Sequence, residues 1–111
     1  MNDRLVRSLS LFGDLELSDK IKDARKELSD HLKSKGYATK IDYLGADVLA
    51  TKGNEKLAVL IGRHSVRYKR VGQLMRIDGF ELHYLLRGDA RVDWAMRGTV
   101  NILKVKSKGS L

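Results

Sequence analysis

Between positions 63 and 76 the chain carries five cationic side chains, Arg63, Arg67, Lys69, Arg70 and Arg76, and no carboxylate. His64 and Gln73 add further polar groups to the same stretch. At helical spacing Arg63, Arg67 and Arg70 share one side, with Lys69, Gln73 and Arg76 on the flank beside it. Such a surface suits tracking a phosphate backbone, because each cation can neutralise one phosphate and release its counterion. The plain alternative is a solvated helix face. The absence of interleaved acids favours phosphate binding at these seven residues.

Other chemistry is harder to assemble. Cysteine is absent, so no thiolate can act as nucleophile or metal ligand and no disulfide forms. His31, His64 and His83 lie far apart with no metal-site spacing, and neither a metal nor another cofactor is expected. His31 reads as a helix-surface residue and His83 as a strand residue. No Ser/His/Asp arrangement follows from local context. Gly62, Gly72 and Gly79 do not have the spacing of a phosphate loop. Arg87-Gly88-Asp89 reads as a turn, and Trp94 and the tyrosines as core or interface residues.

The bulk composition agrees with a polyanion partner. The net charge is +8 over 111 residues, with 42% hydrophobic and 32% charged residues. That is enough apolar material for one core in a single domain. The segment 63–76 contributes +5 and 91–111 contributes +4, while 37–62 is neutral. A domain this basic attracts nucleic acid, with an acidic protein or an anionic lipid surface as weaker competitors. No apolar run approaches the roughly 20 residues of a membrane span, and the start does not read as a secretory signal. A cytoplasmic location and no membrane partner are therefore expected. The missing cysteine, the many charged residues and the short connections also suit a thermophile.

The elements that must position these groups can be traced along the chain. Residues 1–14 read as an N-terminal arm or a short helical turn. Leu17, Ile21, Ala24, Leu28 and Leu32 make an apolar stripe at helical spacing, with Ser18 as N-cap and Gly36 as terminator. Strands are expected over 37–43 and 46–51, then a turn at Lys52-Gly53-Asn54-Glu55. The run Leu57-Ala58-Val59-Leu60-Ile61 suits a central strand buried on both faces. A second helix is expected over 65–78 with Tyr68, Val71, Leu74 and Met75 inward. Gly72 within it suggests a kink or a close neighbour. Strands over 80–87, 91–97 and 99–105 follow, then a frayed basic tail at 106–111. The domain proper spans 15–105.

Helix, three-stranded meander, helix and strand is the core order αβββαβ. Lys35-Gly36-Tyr37 through Gly88, with Ala46-Asp47-Val48-Leu49-Ala50 as second strand and Trp94 in a later strand pair, resembles the archaeal Holliday junction resolvases of the restriction-endonuclease-like (PD-(D/E)xK) fold. The resemblance covers roughly 15–97 and implies an α/β fold with extra C-terminal strands. It also implies a Mg²⁺ site built from an Asp on the second strand and a Glu-x-Lys on the third. Asp47 matches the Asp. The Glu-x-Lys places fall on Leu60-Ile61-Gly62, or on Ile61-Gly62-Arg63, so no second carboxylate is supplied and Asp47 reads as vestigial. Glu55 and Lys56 lie at the far end of that strand, and Glu27 reads as a surface residue. The archaeal tRNA-splicing endonuclease core is also similar over 35–50, but its Tyr, His and Lys triad is incomplete, with Tyr43 one position off.

The resulting expectation is a catalytically inactive nuclease-like domain that binds branched or duplex DNA, or structured RNA. It would be a homodimer through the face made by Leu82, Tyr84, Leu86, Val92, Trp94 and Met96. The alternatives are a non-catalytic subunit beside an active nuclease paralogue in DNA or tRNA processing, and an archaeal or viral protein-interaction module. No catalytic residue is expected in this chain alone.

Overall fold

The apolar run at 57–61 sets the centre of the fold. A computed structural model describes residues 3–62, 68–76, 79–87 and 100–108, with side chains from Arg7 onward apart from that of Tyr68. Strand β4 (Glu55–Gly62) pairs antiparallel with β3 (Ala46–Lys52) and parallel with β5 (Glu81–Arg87). Strand β2 (Ala38–Tyr43) pairs antiparallel with β3, and β6 (Asn101–Ser107) pairs parallel with β5. A two-residue strand β1 (Glu16–Leu17) completes a six-stranded sheet of order β1-β6-β5-β4-β3-β2.

Both faces of this sheet are covered. Helices α1 (Asp3–Phe12) and α2 (Ile21–Ser34) lie on one face, where Phe12, Leu28 and Leu32 meet Leu57, Val59, Ile61 and Leu85. Helix α3 (Tyr68–Leu74) lies on the other, where Val71 and Leu74 meet Ala58, Leu60, Tyr84 and Leu86. Successive residues of β4 thus enter opposite cores, which is why the run carries no polar alternation. Each buried Leu contributes about 1.5–3 kcal/mol relative to exposure. The molecule is therefore a mixed α/β protein with three layers among its described residues. No helix among them is long and apolar enough to cross a membrane.

Several elements differ from expectation. Residues 3–12 form a ten-residue helix rather than a short turn. Its buried residues Ser8, Leu11 and Phe12 recur at three and four, but the polar Ser8 conceals the stripe. Two side chains cap its end: His31 Nε2 of α2 donates to the Leu11 carbonyl (2.6 Å), and Nζ of Lys35, just after α2, to that of Ser10 (3.3 Å). Gly13 is required there, since a Cβ would lie 2.6 Å from the Leu9 carbonyl oxygen.

Leu17 belongs to β1, and α2 begins at Ile21 behind Lys20. Ser18 does not cap that helix. Its amide and hydroxyl donate instead to the Glu27 carboxylate, at 2.8 and 2.6 Å. Strand β6 continues through Ser107, so 106–107 is not frayed tail: Glu16 aligns with Lys106 and Leu17 with Ser107. Helix α3 ends at Leu74, which leaves Met75 half exposed instead of inward. Gly72 has no close neighbour, because nothing lies within 4 Å of where its Cβ would be. The strand expected over 91–97, with Val92, Trp94 and Met96, lies outside the described residues.

Candidate functional site

Asp47 stands at the start of β3, beside the carboxyl end of β4, and is fully buried. A buried carboxylate must be paired or hydrogen-bonded, and this one is satisfied three times. Its Oδ1 accepts from Arg25 Nε of α2 at 2.8 Å. Its Oδ2 accepts from the Ile61 amide at 2.6 Å and pairs with Arg70 Nη2 of α3 at 3.1 Å. One carboxylate thus joins helices that pack on opposite faces of the sheet. Arg25 also reaches the exposed Asp42 at 3.6 Å.

The arginines are partly open. The Arg25 and Arg70 side chains keep 24% and 28% exposure, while Asp47 shows none of its surface. Lys69, Gln73 and Arg76 are exposed on or just after α3. Arg87, at the carboxyl end of β5, is buried and donates to the carbonyls of Ser18 (2.5 Å) and Asp19 (2.6 Å). It supports the chain entering α2.

Of the seven residues read as a phosphate-tracking surface, Lys69, Arg70, Gln73 and Arg76 are described. Arg63, His64 and Arg67 lie outside the described residues. Arg70 is the one that differs from a free surface cation, because it turns toward Asp47. Arg25 was not singled out from sequence. It alternates with Asp23 and Glu27 as on a solvated helix face, and its partner lies 22 residues away. Asp47 does stand beside Ile61, one of the two places aligned with the Glu of Glu-x-Lys, and Ile61 supplies no carboxylate.

The other acids have separate occupations. Glu27 accepts from Ser18 and from Lys108 Nζ at 2.9 Å. Burial opposes its charge, but these hydrogen bonds prevail and hold its carboxyl below the ordinary value. At the amino end of β4 and β5, Glu55 accepts from Tyr37 Oη (2.7 Å) and pairs with Arg7 (3.1 Å). The Tyr37 hydrogen bond is the main reason its carboxyl is also held low. Tyr43 is exposed, with Lys40 Nζ 4.6 Å from its ring centroid.

The fold also brings together a group that local sequence does not show. Ser8 Oγ lies 3.4 Å from His83 Nδ1, while His83 Nε2 contacts Glu81, and Arg7 Nε pairs with Glu81 at 3.1 Å. Burial pushes the His83 imidazole below its ordinary value, with Glu81 opposing. A neutral ring fits these contacts, with Nε2–H donated to Glu81 and Nδ1 accepting from Ser8. Ser8 and His83 are both about 1% exposed, so the hydroxyl has no access to a substrate. The arrangement fastens α1 to β5. Its one local signal is Glu81-x-His83 on a strand, which puts both on one face.

Among the described residues no group of three or more His, Cys, Asp or Glu could hold a metal ion. No family model, no curated protein and no solved structure matches the chain.

Proposed function

We propose that this chain is a nucleic-acid-binding protein, acting on duplex or branched DNA or on structured RNA, with a nuclease-like fold whose catalytic site is inactive. The observation that carries the reading is the charge left over at the carboxyl end of β4 and β5. There Lys69 and Arg76 stand exposed near two guanidinium groups that share the buried Asp47, with the exposed Asp42 on the Arg25 side. Polyanions are attracted by cations that internal pairing does not neutralise.

The element order α2-β2-β3-β4-α3-β5 supports the restriction-endonuclease-like reading. Both oxygens of Asp47 are engaged by Arg25, Arg70 and the Ile61 amide, which supports inactivity: a divalent ion would have to displace these donors and would find no second carboxylate from β4. The proposed setting is the cytoplasm. Fluorescence anisotropy with duplex, single-stranded and four-way DNA and with tRNA, across a salt series, tests the reading. Binding that weakens linearly in log–log form with salt is expected. No detectable binding at about 50 mM salt overturns it.

A second reading is a non-catalytic subunit, paired with itself or with an active nuclease. Tyr84 and Leu86 do not favour it, because they are buried against α3 and Val100 within one chain, with Leu82 partly buried beside them. Exposed Ile41, Tyr43, Leu44 and Met75 do favour it, together with an open groove of about 270 Å³ against Leu49 and Phe80. Sedimentation and copurification separate these outcomes from a lone monomer.

A further inference from the structure

We infer that Asp47 is a positioning residue, and that Arg25 and Arg70 form a preset fork for a backbone phosphodiester, with Arg25 a binding residue outside the basic 63–76 segment. The inference rests on the nucleic-acid reading and names the atoms through which it would operate. Three observations carry it. The Asp47 carboxylate is fully buried and holds one guanidinium on each oxygen, at 2.8 and 3.1 Å. Both arginine side chains remain about a quarter exposed and each has N–H groups that Asp47 does not use, although Arg25 also reaches the exposed Asp42. The Ile61 amide fixes the carboxylate from behind at 2.6 Å, so the anchor cannot swing outward.

Arg25, Asp47 and Arg70 sum to one positive charge, which the exposed Asp42, 3.6 Å from Arg25, partly offsets. A long arginine loses rotamer freedom when it grips a ligand, and arginines already pinned to a carboxylate lose less. Guanidinium planes also match phosphate oxygens better than ammonium groups do. The buried carboxylate is screened by its two partners and does not confront the phosphate itself. A carboxylate at such a place therefore strengthens binding of a polyanion.

That consequence separates the inference from simple net charge. Asp47→Asn and Asp30→Asn each remove one negative charge, and Asp30 is exposed on α2. Net charge alone predicts that both tighten binding to a duplex DNA probe. The fork predicts that Asp30→Asn is neutral or tighter. Asp47→Asn should bind roughly fivefold weaker or worse and lose about 1 from the salt slope, because its amide NH₂ faces one of the guanidinium groups. Circular dichroism checks that Asp47→Asn is folded. If it is not, Arg25→Gln against Lys33→Gln decides, since both remove one cation from α2 and Lys33 is exposed at its far end. The expected result is a slope lower by about 1 for Arg25→Gln only. Equal behaviour within the deciding pair, with the unmodified chain binding, overturns the fork and leaves the nucleic-acid reading standing. No binding by the unmodified chain overturns both.

Discussion

The two ends of β4 and β5 are both tied to helices by ionic side chains, and they differ in how the charges close. At the amino end Arg7 of α1 lies between Glu55 and Glu81, and these acids are further engaged by Tyr37 and His83. At the carboxyl end a buried anion, Asp47, lies between the cations Arg25 and Arg70, and Arg25 also reaches the exposed Asp42. The first network spends its cation on the sheet and fastens a helix. The second buries its central anion in the fold, and Lys69 and Arg76 stand exposed near it. Similar residue types thus make a structural clasp at one end and a candidate binding surface at the other.

The clasp is expected to show the largest single effect. Phe12 is fully buried, with its ring edge-on to His83 at 5.3 Å. Phe12→Ala should cost about 3–5 kcal/mol, a large share of the roughly 5–15 kcal/mol that holds a domain together. Urea unfolding measures it. A loss below about 1 kcal/mol would make α1 a detachable arm and remove the clasp from the comparison.

Next comes the carboxyl end. Asp47→Ala leaves two guanidinium groups facing each other and the Ile61 amide unpaired. The expected cost is about 3 kcal/mol, the low end for a broken buried pair because both arginines are partly exposed. Unchanged stability would mean that the triad does not join the helical layers.

How much of this was legible follows from range. The apolar run of β4, the hairpin at Gly53 and the stripe of α2 are local periodicities, and the structure has all three. Asp47 could be picked out only because Ala46-Asp47-Val48-Leu49-Ala50 resembles the second strand of the resolvase pattern. Ser8, His83 and Glu81 could not be joined, since Ser8 lies 75 residues from His83. Arg25 hid in an alternation of charges that ordinarily marks a solvated face. Arg70 read as free for the same reason, as no spacing shows that a buried carboxylate on another strand will claim it. Leu17 fitted the helical stripe, yet pairing with β6 holds it extended.

The clasp should also respond to pH in its own window. Burial holds His83 below its ordinary 6.5, against the pull of Glu81 and with a further push down from Arg7. The unfolded chain therefore binds a proton that the folded one refuses. Stability is full above about pH 6.5 and falls as pH drops from there toward the folded value. Glu27 and Glu55, held below 4.5, lose their contributions only at lower pH. Thermal midpoints between about pH 7 and 5 should fall more steeply for the unmodified chain than for His83→Asn. Parallel curves would show that His83 titrates no differently when folded.

The smallest effect sharpens the other end. Gly72 lies in α3 with an ordinary backbone and open space around its Cβ position. Gly72→Ala should raise stability by roughly 1 kcal/mol or less without altering the neighbouring cations. A loss of stability would mean that α3 needs a glycine there.

The central claim is that the carboxyl end, and not net charge as such, binds nucleic acid. The most direct test compares two double charge reversals in duplex DNA binding across a salt series. Lys69→Glu with Arg76→Glu alters the exposed cations beside the triad. Lys33→Glu with Lys56→Glu alters exposed lysines toward the amino end. Both pairs change net charge equally. The first pair should weaken binding strongly at low salt and lower the log–log slope by roughly 2, while the second leaves the slope nearly unchanged. Equal losses in the two proteins would contradict the account.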